Sequence, residues 1–117
     1  MKYFYTVSIF ILLLLLSCTD LEPEREPTPE EERAEMIARQ FHPWDGSHIV
    51  LERFVKSRLN DPSSFQHQST QHYDLGEKVF VLMHYRAANA FGALVRAKIS
   101  IEAHPESGEI LRVRMSE

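Results

Sequence analysis

From Ala93 to Ala103 every second residue is apolar: Ala93, Val95, Ala97, Ile99, Ile101 and Ala103, with Arg96, Lys98, Ser100 and Glu102 between them. A period of two marks a strand with one buried and one wet face, because successive side chains leave a strand on opposite sides. A helix would scatter the same residues around its circumference. This alternation restricts the fold more than any other feature, since it demands a sheet and a layer to cover one side of it.

The neighbouring segments repeat the signal. Lys78 to Ala88 sets Val79, Val81, Met83 and Tyr85 against Phe80, Leu82, His84 and Arg86. Phe65 to Tyr73 reads as a more polar strand, and Glu109 to Met115 as a fourth, with Leu111, Val113 and Met115 opposed to Ile110, Arg112 and Arg114. The connections are short: Asp74-Leu75-Gly76-Glu77 is a turn, Asn89 to Gly92 a turn or bulge, and His104-Pro105-Glu106-Ser107-Gly108 a tight link. Short links require antiparallel neighbours. The apolar sets are expected to face helices, which leaves an open face carrying Arg86, Arg96, Lys98, Arg112 and Arg114 beside Phe80 and Leu82.

Helical spacing precedes the strands. Ala34, Ile37, Ala38 and Phe41 fall on one side of a helix over Glu30 to Phe41, with acids in its first turn, where the helix dipole favours them. Pro43 ends it, and Asp45 or Ser47 is expected to cap a second helix running to about Leu59. That helix aligns Val50, Leu51, Phe54, Val55 and Leu59, and Asn60-Asp61-Pro62 stops it. The fold class is therefore α+β: one or two N-terminal helices packed on a four-stranded antiparallel meander, in one small domain over residues 33–117.

The formal charge of −4 is unevenly placed. Residues 19–35 hold Asp20, Glu22, Glu24, Glu26, Glu30, Glu31, Glu32 and Glu35 against Arg25 and Arg33, whereas residues 36–117 hold nine acids and ten bases. A near-neutral body lacks the basic excess of a generic nucleic-acid binder, so no nucleic acid is expected as a partner. The segment Thr19 to Glu32, rich in glutamate with Pro23, Pro27 and Pro29, reads as an extended tether of roughly 40 Å at about 3.1 Å per residue.

The N-terminus carries a different signal. Met1-Lys2 is weakly positive, and Tyr3 to Leu16 is almost wholly apolar yet shorter than the about 20 residues a membrane span needs. Leu15-Leu16-Ser17-Cys18 resembles the lipobox of bacterial lipoproteins. The resemblance implies a signal peptide over 1–17, diacylglycerol on the Cys18 thiol, cleavage before Cys18, and a further acyl chain, such as palmitate, on the new α-amine. Multiple chains hold stably where one holds marginally, at ~0.8 kcal/mol per buried CH₂. It places the mature chain in the cell envelope with a lipidated tether over 18–32. Thr19 rather than Asp follows Cys18, and resemblance to enterobacterial lipoproteins, in which Asp at that place favours inner-membrane retention, then implies the periplasmic side of the outer membrane in a Gram-negative source. Cys18 is the single cysteine, so the body contains no disulfide and depends on packing.

Three further motifs, PWDGSH (43–48), LNDPSSF (59–65) and YRAANAFG (85–92), resemble a family of small uncharacterised bacterial proteins, over roughly residues 40–117. The resemblance supports helices followed by a meander and carries no activity with it. Ala87-Ala88 replaces the Gly-Lys pair usual at that place.

Catalytic spacing is not legible. The six histidines (His42, His48, His67, His72, His84, His104) show no HxH or HExxH pattern, and Ser63, Ser64 and Ser69 lack a nucleophile-elbow context. With a two- or four-residue turn centred on Leu75-Gly76, His67 lies opposite His84, and with a three- or five-residue loop it faces Met83. The first arrangement gives an alternative reading as a small metal-dependent or hydrolytic envelope enzyme, although two histidines need further ligands to hold a metal. The main expectation is a non-enzymatic, lipid-anchored interaction module without a cofactor. It would use the basic open face against an envelope protein or an anionic envelope component; an inhibitor or exclusion lipoprotein is a variant of the same reading.

Overall fold

A computed structural model describes residues 23–117; Cys18 and the signal segment lie outside the described residues. Two helices precede a four-stranded antiparallel sheet with strand order β1-β2-β3-β4, the expected α+β meander. The elements are α1 (Pro29–Ala38), α2 (Ile49–Lys56), a short 3-10 turn (Pro62–Ser64), β1 (Gln66–Asp74), β2 (Val79–Ala88), β3 (Leu94–Ala103) and β4 (Ile110–Ser116). No helix among the described residues is long and apolar enough to cross a membrane.

Helix α1 starts earlier than the acidic tether was expected to end. Thr28 caps it by accepting from the Glu31 amide, and the Glu31 side chain returns to the Thr28 amide, a reciprocal capping box with Pro29 at the first helical position. Residues 29–32 therefore belong to the helix. Its inward face also differs from expectation. Ile37 is buried, but Ala34 and Ala38 are exposed, while Arg33, Met36 and Gln40 turn towards the protein. The helix is held at its ends by polar bonds more than by an apolar stripe. Arg33 donates from Nε and Nη2 to the Asp74 carboxylate at 2.7 and 2.8 Å, and also to the Gly76 carbonyl. At the other end Gln40 donates to the carbonyls of His104 and Pro105. So α1 lies across one end of the sheet, from the β1–β2 turn to the β3–β4 turn.

Helix α2 begins at an unexpected cap. His48, rather than Asp45 or Ser47, accepts the Leu51 amide through Nδ1 at 3.1 Å. Asp45 instead accepts the Ser47 amide, and the buried Ser47 hydroxyl donates to Glu52 at 2.8 Å. With Nδ1 accepting, the Nε2–H of His48 donates to Gln40 Oε1 at 3.2 Å. His48 is fully buried, and burial lowers its pKa to about 4, so the ring is neutral. Leu51, His48, Gln40 and the β3–β4 turn thus form one buried hydrogen-bonded chain. It fixes the joint between the helices to the far end of the sheet.

The core lies between α2 and the sheet. Leu51 and Val55 meet Val79, Val81, Met83 and Tyr85 of β2 and Ile99, Ile101 and Ala103 of β3, all on the parity that the alternation assigns. Strand β4 departs from that parity. It pairs Ile110 with Ala103, Arg112 with Glu102, Val113 with Ile101 and Met115 with Ser100, with irregularities on either side of Glu102–Ile101. Leu111 and Arg114 are the extra residues of two bulges. Ile110 and Val113 therefore share the helix side, Met115 joins the open side, and Leu111 is 52% exposed. Because α2 is short, β4 is only partly covered, and a cleft of about 380 Å³ remains beside Phe54, Leu59, Tyr85, Ile99 and Val113.

Candidate functional site

The open face of the sheet carries the charged residues singled out above, and its register divides them into two groups. Towards the β3–β4 turn, Glu102 stands opposite Phe80 on β2 and Arg112 on β4. Its carboxylate receives the Lys78 ammonium at 3.0 Å and lies 3.7 Å from the Arg114 guanidinium. The Lys78 hydrogen bond, reinforced by the charges of Lys78, Arg114 and Arg112, holds the carboxyl below its usual range. Long cationic side chains lie over this end, so Glu102 and Ser100 are buried although they belong to the outward parity. Phe80 and Leu82 are half-buried in the same carpet.

Towards the β2–β3 turn the pattern reverses. Arg86 is directly opposite Arg96, and His84 is directly opposite Lys98. The two arginines are like charges in cross-strand register, which destabilises a sheet. Lys98 reaches Glu117 at 2.8 Å, but among the described residues neither Arg86 nor Arg96 is ion-paired. The Arg86 Nε is buried and has no hydrogen-bond partner. A shallow depression of about 170 Å³ runs between His84, Arg96, Lys98 and Glu117. Chemically this end is a flat cationic surface with several unused donors, suited to carboxylate or phosphate oxygens.

The paired-histidine site is not formed. The β1–β2 connection is a four-residue loop, Leu75 to Lys78, that places Asp74 opposite Val79, and a bulge at Gln68 shifts the register again. His67 consequently pairs with Tyr85, while Ser69 takes the place opposite His84. The two rings lie on opposite faces: His84 is exposed on the open side, and His67 is half-buried on the helix side, where Nε2 contacts the Thr70 hydroxyl at 2.7 Å. Among the described residues no group of three or more His, Cys, Asp or Glu is arranged to hold a metal.

A second polar cluster sits on the 41–48 loop. Glu52 accepts from Lys56 at 2.6 Å and from Ser47, and His42 lies 3.5 Å away. Burial raises the Glu52 pKa, but the bonds from Lys56 and Ser47 outweigh it and leave the carboxyl below its usual range. His67 lies 3.8 Å from Asp45. Ser47 is completely buried and already bonded, so its hydroxyl is not available for nucleophilic attack.

The three sequence motifs resolve into chain reversals. In PWDGSH, Trp44 is 75% exposed and stacks on His42 at 4.4 Å, ahead of the His48 cap. In LNDPSSF, Asp61 caps the 3-10 turn, and Ser64 accepts the Ala88 amide at 2.8 Å. In YRAANAFG, the Asn89 side chain accepts the amides of Phe91 and Ala93, which leaves Phe91 95% exposed at the turn tip. Only Arg86 of these motifs belongs to the cationic surface. Comparison with known proteins finds no matching family model, no similar curated protein and no similar solved structure.

Proposed function

We propose that this chain is a lipid-anchored envelope protein whose open sheet face is a non-enzymatic binding surface for an anionic partner. The observation that carries the reading is the Arg86–Arg96 pair. A sheet that needed only solubility gains nothing by setting two arginines opposite each other. Such an arrangement costs stability alone and is relieved when an anion bridges the guanidinium groups. The lipobox-like segment ending at Cys18 supports the anchor, and the acidic stretch before Thr28 supports a spacer between lipid and domain.

Two measurements test this. The mature lipoprotein should bind immobilised polyglutamate, and Arg86→Glu with Arg96→Glu should abolish retention while circular dichroism shows a folded protein. Retention equal to wild type by the folded variant would sink the binding face. For the anchor, intact-mass analysis of wild type and Cys18→Ala should differ by the acyl chains, and a wild type without acyl mass refutes it.

A further inference from the structure

The same molecule contains a segment whose charges match the unused end of its face. Asp20, Glu22, Glu24 and Glu26 occupy every second position of the acidic stretch. On the sheet, His84 and Arg86 occupy alternate positions of β2, and Arg96 and Lys98 alternate positions of β3 directly opposite them. Alternate residues of an extended chain point the same way and are spaced by roughly 6.6 Å on either partner. Within the segment Pro23 and Pro27 disfavour helical backbone at Glu22 and Glu26 and favour the β or polyproline region, from which docking along the strands selects the β form whose alternate residues share a side. Its one base, Arg25, falls on the other parity and is ion-paired to Glu31 at 2.6 Å. The side presented to the sheet is then purely acidic.

A chain cannot lay the whole of this acidic segment on its own face. Helix α1 crosses the sheet at the end where Asp74 pairs with Val79, whereas Arg86 lies seven residues further along β2, at roughly 23 Å by the rise of a strand. Between Glu24 and the start of α1 at Pro29 lie four residues, and the five residue steps span at most roughly 18 Å and must also turn around the sheet to its other side. Glu24 and Glu26 stop short in cis. A neighbouring copy is not limited in this way, and lipid anchoring in one leaflet would raise its effective concentration.

We infer that the acidic segment 20–26 of one copy docks across Arg86, Arg96, His84 and Lys98 of a second copy, so that the protein self-associates tail to sheet. This inference rests on the open face being an anion-binding surface and names its occupant.

Charge reversal in trans tests it. One variant carries Arg86→Glu and Arg96→Glu with the natural acidic segment. The other carries Glu22→Lys, Glu24→Lys and Glu26→Lys with the natural face. Sedimentation of the mature chains in detergent should show wild type associating at low salt and dissociating as salt rises. Each variant alone should be monomeric, and an equimolar mixture of the two should associate again. If the reversed face fails to fold, Arg86→Gln with Arg96→Gln must still weaken wild-type association at least about tenfold, the scale of a lost close charge pair. A wild type that is monomeric at all salt concentrations overturns the inference, as does association of either variant equal to wild type. If wild type is monomeric yet polyglutamate or anionic phospholipid vesicles are held through the two arginines, self-docking fails and the binding face stands. If no anionic probe is held either, both readings fall.

Discussion

Two polar centres in this small domain obey opposite rules. At the helix joint, His48 is wholly buried, yet both ring nitrogens are used, and Gln40 passes the chain of bonds to the β3–β4 turn. On the outer face, Arg86 and Arg96 are better placed to meet water, yet they oppose one another and leave a buried donor unused. The first centre is fully satisfied by the chain itself, as a structural group must be to offset its desolvation. The second is not, which supports the proposal that an anionic partner completes it. Burial alone would have ranked these two centres the wrong way round as candidates for function.

The largest test of this contrast is His48→Leu. It removes the α2 cap and strands Oε1 of the Gln40 side chain, and should cost about 2–4 kcal/mol in urea unfolding, with binding to polyglutamate unchanged in the fraction that remains folded. A loss under about 0.5 kcal/mol would show that the buried chain is not structural.

Acid provides a second test. Because the folded pKa of His48 is lowered to about 4 from an ordinary 6.5, the unfolded chain takes up a proton that the folded one refuses. The neutral ring's contribution is present above pH 6.5 and is lost as pH falls towards 4, by about 3 kcal/mol in all at ~1.4 kcal/mol per pKa unit. The depressed carboxylates of Glu52, Glu102 and Asp74 contribute their losses below their ordinary values, so the interval from 6.5 to 4.5 isolates the histidine. Urea midpoints across that interval should fall in wild type and stay level in His48→Leu.

The outer face should answer with the opposite sign. Arg96→Glu converts a like-charge pair into an ion pair with Arg86 and should stabilise the fold by about 0.5 kcal/mol while weakening anion binding. Destabilisation would mean that Arg96 has a structural partner after all. The smallest effect belongs to Lys98→Ala. Its exposed pair with Glu117 should be worth less than about 0.5 kcal/mol in unfolding experiments, although retention on polyglutamate should still decline measurably.

Reading the sequence reached these centres unequally. The faces of β2 and β3 followed from alternation, because both strands run ten residues without a break in mutual register. Arg86, Arg96 and Lys98 were therefore assigned to the correct side, and Arg112 and Arg114 also belong there through Glu102. Strand β4 was assigned as an unbroken alternation, and two bulges moved Met115 to the other face; nothing in Ile110 to Met115 marks an extra residue as a glycine would. The His67–His84 pairing failed because register depends on the loop conformation and on a bulge at Gln68 that alternation does not encode. The face of α1 is not legible in apolar periodicity, because Arg33 and Gln40 dock it through polar bonds. His48 escaped notice as a cap because two residues with stronger capping preference, Asp45 and Ser47, stand just before it.

The Arg33–Asp74 contact has a mechanical meaning as well. Any pull on the residues before Thr28 enters the domain through the first turns of α1, where an isolated helix would peel away turn by turn. The two-pronged grip of Arg33 on Asp74, with a third bond to the Gly76 carbonyl, diverts that load into the β1–β2 hairpin. From Ser69 to Asp74 strand β1 is in unbroken register with β2, so the hydrogen bonds next to the hairpin share the strain rather than breaking singly. In the proposed lipid-anchored state the domain is thereby gripped one turn inside its own edge.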